Sequence, residues 1–113
     1  MTQAIFSRRG NRFDVKIEGH ADYASGVPDI VCAACSTLAC TLLECMEDLD
    51  GAWGVDGFRK EVNDDGLMHI NVRASEWAVR EVEVIMKTIR TGFLLLQDGY
   101  PDHVEVIETG DVG

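Results

Sequence analysis

The sequence predicts an α+β fold in the order ββαββαβ, a mainly antiparallel sheet with two helices packed on one face. Three observations carry that prediction. Short stretches alternate apolar and polar residues on either side of turn sequences, which is the period of a half-buried strand. Two longer stretches repeat apolar residues at helical spacing. The chain has 113 residues, 46% hydrophobic and 27% charged with 2 prolines, so residues 1–113 are expected to form one domain around one core rather than a disordered chain.

Ala4 and Phe6, then Phe13, Val15 and Ile17, alternate across Arg9-Gly10-Asn11 and read as a hairpin. Glycine and polar residues fill the segment 19–29, ending in Gly26-Val27-Pro28, which is loop chemistry. Asp29 is the natural N-cap of a helix starting near Ile30, because its carboxylate can accept from free amides of the first turn. That helix carries Leu38, Leu42 and Leu43 and has Gly51 available as its stop. Phe58, Lys60 and Val62, the turn Asn63-Asp64-Asp65-Gly66, and Met68, Ile70 and Val72 form a second hairpin. Ser75 is placed to cap a second helix with Ala78, Val82, Ile85, Ile89 and Leu96 on one side, ended by Gly99 and Pro101. A short last strand follows at Val104 to Ile107.

Ten Lys and Arg against twenty Asp and Glu leave a net charge of −10, which repels phosphate backbones and anionic lipid and attracts basic proteins. Direct nucleic-acid binding is not expected. The N-terminal residues show no apolar run behind a basic start, and the longest uncharged stretch, residues 30–43, is shorter than the roughly 20 residues of a membrane span. No membrane contact is expected, and the chain reads as cytoplasmic. Its four cysteines, Cys32, Cys35, Cys40 and Cys45, crowd into one segment instead of tying distant loops, so they are expected to be free thiols.

Cys32 falls at the third position of the predicted first helix, where the backbone dipole favours a thiolate and hence a nucleophile. The competing reading is a small apolar side chain in a helix rich in alanine and cysteine. His20 ends the second strand, twelve residues before Cys32 with only a loop between. Strand end and helix start can face each other, which is the juxtaposition a Cys/His pair requires; a surface histidine is the alternative. His69 lies opposite the Met68/Ile70/Val72 face and is expected in solvent, and His103 opens the last strand.

A metal site on Cys32-x-x-Cys35 is not expected. At about 100° per residue the four cysteines project in different directions over several turns. Thioredoxin-like redox chemistry would need Cys35 together with Cys32, and the βαβ unit expected before such a motif is missing.

Gly19-His20-Ala21, the glycine-containing loop, and Asp29-Ile30-Val31-Cys32-Ala33-Ala34 followed by Ser36 together resemble the signature of the ribosomal-processing cysteine proteases called Prp. The resemblance spans two separate motifs and the spacing between them, and the family's ββαββαβ fold agrees with the order read from the residues. It implies a Cys/His endopeptidase of bacterial cytosol that removes a short N-terminal extension from large-subunit ribosomal protein twenty-seven, cutting after an aromatic residue, and that pairs as a homodimer without cofactor. Phage relatives process capsid or scaffold proteins. On this resemblance Cys32 is the nucleophile and His20 the general base, with Asp29 and Ser36 in supporting positions. Asp29 caps the helix or orients His20, and Ser36 sits one turn beyond Cys32 on the same helical face. Ala21, Asp22 and Gly26 belong to a candidate flap that opens to admit a peptide and closes to exclude water. The chain departs from the usual family pattern at Cys35 and at Asp22-Tyr23-Ala24-Ser25. A non-catalytic module that binds a ribosomal or phage protein, and a thiol redox protein, are the alternatives from other classes.

Overall fold

The computed structural model describes residues 1–19, 29–63 and 66–110, with Asp29 described by its backbone. Strands β1 (Thr2–Arg9) and β2 (Arg12–Glu18) precede helix α1 (Asp29–Gly51). Strands β3 (Val55–Asn63) and β4 (Leu67–Ala74), a single 3-10 turn (Glu76–Ala78), helix α2 (Val79–Gly99) and β5 (Val104–Gly110) complete the chain. The sheet order is β3-β4-β2-β1-β5, antiparallel throughout except for the parallel pair β1–β5.

The alternation of the sequence decides which sheet face is covered. Ala4 and Phe6, Phe13, Val15 and Ile17, and Met68, Ile70 and Val72 are all buried. Their odd or even neighbours Asp14, Lys16, His69 and Asn71 share the outer face. Both helices lie over the apolar face. Helix α1 contributes Val31, Cys35, Ala39, Leu42 and Met46, spaced three or four residues apart so that one stripe meets the sheet. Helix α1 holds an 18-residue stretch of mean hydropathy 1.6 and is long and apolar enough to cross a membrane by composition; its inner stripe is packed in the core. Helix α2 contributes Val82, Met86, Ile89 and Phe93, and the fully buried Phe93 ring meets Phe6 edge-on at 6.3 Å. The helices cross closely at Gly92, where a Cβ would come within 2.7 Å of the Leu38 side chain. Arg8 ties β1 to α2 by donating to Glu83 at 2.6 Å. That guanidinium first, and Arg80 second, hold the Glu83 carboxyl below its ordinary range.

Four local expectations are corrected. Helix α1 includes Asp29 as its first residue, so Cys32 is its fourth residue and not its third. Its last residue is Gly51, as expected, but the left-handed residue that closes it is not a glycine: Trp53 takes that conformation at φ 62°. The Gly54 amide donates to Leu49 and the Trp53 amide to Asp50, the paired bonds that close a helix end on its own carbonyls. Ser75 precedes the 3-10 turn but makes no side-chain cap; its hydroxyl donates instead to the Trp53 carbonyl at 2.7 Å. That bond ties the end of α1 to the start of the α2 segment. The last strand runs to Gly110 because it pairs with β1 along its whole length.

Candidate active site

Helix α1 and the adjoining ends of β2 and β4 enclose a groove of about 510 Å³. Cys32 lines it, half-buried, with exposed Ala33, Ser36 and Cys40 along the outer side of the same helix. Ile17 and Met68 form its apolar floor, and Leu43, Val62 and Leu67 border its far end. The half-burial of Cys32 follows from the way α1 lies on the sheet: the residue before it, Val31, is fully buried, which turns Cys32 to the helix flank.

Gly19 lines the same groove. Its φ is +94°, and a Cβ there would lie 2.2 Å from the Met1 carbonyl oxygen, so only glycine fits without moving backbone. Its amide donates to the Gly66 carbonyl at 3.1 Å, which pins the end of β2 to the β3–β4 hairpin. The residue immediately before His20 is therefore held in the groove that contains Cys32. His20 itself, with Ala21, Asp22 and Gly26 of the candidate flap, lies outside the described residues, as does the side chain of Asp29.

The other two histidines lie elsewhere in the fold. His69 sits on the outer sheet face, half-exposed and not free in solvent as expected, with Nε2 2.9 Å from Asp14 Oδ1. The His103 carbonyl accepts from the Thr2 amide at 2.9 Å and so supports the start of β1. Neither borders the groove.

Cys35, one turn after Cys32, is 5% exposed at the back of the groove. Burial pushes its thiol from 9.0 up to about 11, the charge of the neighbouring Cys32 adds to the rise, and a hydrogen bond with the Thr2 side chain opposes it. At neutral pH Cys35 is a neutral thiol. Thr2 is a groove residue that the sequence reading missed; its phase with Ala4 and Phe6 already places it on the covered side of β1. The walls Leu43, Val62 and Leu67 were missed because which strand lies beside which helix is not a local property. Cys40 is exposed and Cys45 half-buried, so the four thiols do not converge, and among the described residues no three His, Cys, Asp or Glu side chains form a metal-binding group.

The groove gives a half-buried thiol near a helix start an open side on which a ligand can reach it. The model of the family described as cysteine protease Prp matches residues 1–105. The crystal structure of the ribosomal processing protease Prp from S. aureus, in complex with a covalently linked product peptide, aligns with a TM-score of 0.69 at 21% identity, covering 96% of this chain and 100% of that one. The same protease with a substrate peptide also aligns at 0.69, with 20% identity over the same shares of the two chains. SMU.848 from Streptococcus mutans aligns at 0.69 with 25% identity, covering 98% of this chain and 96% of that one. No curated protein sequence matches the chain. With the family model covering nearly the whole sequence, the chain belongs to the cysteine protease Prp family and is a cysteine protease.

Proposed function

We propose that the protein trims a short N-terminal extension from the precursor of large-subunit ribosomal protein twenty-seven, with Cys32 as nucleophile and His20 as general base. The observation that carries the residue assignment is the groove shared by Cys32 and Gly19, the residue on which His20 follows directly. In this reading the Cys32 sulfur attacks the scissile carbonyl carbon while His20 takes the thiol proton. The same imidazole then protonates the departing amine, and water, deprotonated by His20, hydrolyses the thioester. In this reading the free amides at the start of α1 supply the donors for the oxyanion. Asp29 and Ser36 support the pair from the same helix, and residues 21–26 act as the flap. The S. aureus relative crystallised with a covalently linked product peptide is in keeping with a covalent route.

The substrate reading rests on shape and charge. The apolar end of the groove, with Leu43, Val62 and Met68, suits an aromatic side chain of the extension. Strand β3 is an edge of the sheet beside that wall and offers main-chain bonds to an extended peptide. A net charge of −10 draws in a basic ribosomal protein. We place the protein in the cytoplasm as a homodimer acting without nucleic acid or membrane; Ile30, 60% exposed beside the outer side of α1, supports pairing through that helix.

The test is incubation with a ribosomal-protein precursor followed by intact mass. Wild type releases the extension; Cys32→Ser abolishes release and His20→Ala lowers it at least about a hundredfold, while Cys35→Ala still cuts. Equal loss in Cys35→Ala and Cys32→Ser would replace the protease mechanism by a paired-thiol one. Binding without cleavage by wild type would leave a binding module, and cleavage of a phage capsid or scaffold precursor alone would move the role to a phage. Light scattering checks the dimer: a monomer mass across micromolar concentrations overturns it.

A further inference from the structure

We infer that Cys35 is a resolving thiol: with a hydroperoxide as oxidant, Cys32 and Cys35 close a reversible disulfide that takes the nucleophile out of use. The inference rests on Cys32 being the nucleophile proposed above. Cys32 and Cys35 are three residues apart in α1 and border one groove, which places their Cβ atoms about 5–6 Å apart. Cys32 is close enough for its charge to add to the rise of the Cys35 thiol.

No other pair within this helix has that relation. Cys35 and Cys40, like Cys40 and Cys45, are five residues apart and point about 140° away from each other. Cys32 and Cys45 are separated by about 20 Å of helix. A disulfide needs Cβ atoms about 3.5–4.5 Å apart and Cα atoms about 4.4–6.8 Å apart. Residues three apart in an α-helix have Cα atoms about 5 Å apart, inside that range, so closure needs only a local shift of the backbone near the helix start.

The chemistry balances in two steps. The Cys32 thiolate attacks one oxygen of the peroxide; the O–O bond breaks, sulfur becomes a sulfenic acid, and the other oxygen leaves as water or alcohol after taking a proton. Cys35 sulfur then attacks Cys32 sulfur; the S–S bond forms, the S–O bond breaks, and the hydroxide leaves as water with the Cys35 proton. The two sulfurs together give up the two electrons the peroxide gains. The structure orders these steps. Cys32 is reached first because it is half-buried in an open groove, and Cys35 is protected by burial. Once Cys32 is a neutral sulfenic acid, the charge that helps to keep Cys35 protonated is gone. A thiol reductant reverses the bond, whereas further oxidation of an unresolved sulfenic acid does not reverse.

The experiment treats the full chain with hydrogen peroxide and reads intact mass, with and without dithiothreitol afterwards. Chymotryptic cleavage after Tyr23 and Leu38 isolates residues 24–38, which carry Cys32 and Cys35 and no other cysteine. Wild type is expected to lose two hydrogens within that segment and to regain both hydrogens and cleavage on reduction. Cys35→Ala and Cys35→Ser are expected to gain oxygen atoms at Cys32 instead and not to recover. Wild type that gains oxygen at Cys32 as the variants do, or a bond that maps to Cys40 and Cys45 or joins two chains, overturns the inference. The mass change needs no substrate. A chain that forms the bond but never cuts a precursor therefore sinks the protease assignment alone, and one that cuts but only gains oxygen sinks the disulfide alone.

Discussion

Alkaline pH should separate wild type from Cys35→Ala in a way no other group reproduces. Cys35 is 5% exposed, and burial, followed by the charge of Cys32, lifts its thiol from 9.0 to about 11. The folded chain therefore holds this proton more tightly than the unfolded chain, so the associated stability is complete below pH 9 and is lost as pH rises through 11. At ~1.4 kcal/mol per unit the full effect is ~3 kcal/mol, of which about 2 kcal/mol is gone by the folded midpoint. Removing the sulfur costs about 1 kcal/mol of buried packing at neutral pH. Wild type should thus be the more stable of the two near neutrality, and the order should reverse near pH 10. Urea unfolding under reducing agent, followed by far-UV circular dichroism from about pH 7 to about pH 11, gives the difference between the two proteins and cancels the titration of tyrosine and lysine. A difference that stays constant across that range refutes both the burial and the coupling assigned to Cys35.

Trp53 holds a left-handed φ of 62° with its ring 83% exposed, so Trp53→Gly should raise stability by about 0.5–1 kcal/mol, read as a higher urea midpoint. A drop would mean that the ring makes a contact outweighing the strain. Gly19→Ala places a Cβ against the Met1 carbonyl at a φ of +94° and should cost at least about 2 kcal/mol while lowering precursor cleavage, since the same residue leads into His20. Unchanged stability would show that the end of β2 is free to move.

Periodicity alone was enough for the element order, because apolar residues two apart in strands and three or four apart in helices can be buried only as strands and helices. Gly10 and Gly66 were legible as turns for a similar reason, both taking positive φ. The proposed nucleophile, Cys32, was singled out by a local feature, a cysteine just inside a helix start, and the resemblance of its surroundings to the Prp family brought in His20, which lies outside the described residues. A local signal misled in part at the end of α1: Gly51 closes the helix, yet the bonds from Gly54 and Trp53 back to Leu49 and Asp50 put the left-handed residue at Trp53. Only the tertiary structure decided the sheet order, which inserts β4 between β3 and β2 and so brings Leu67 and Met68 beside α1. It also decided that Thr2 backs Cys35 and that Gly19 shares the groove with Cys32. Those neighbours are far apart in the chain, and their meeting depends on how whole faces pack to bury the most apolar surface, a quantity that no window of sequence contains.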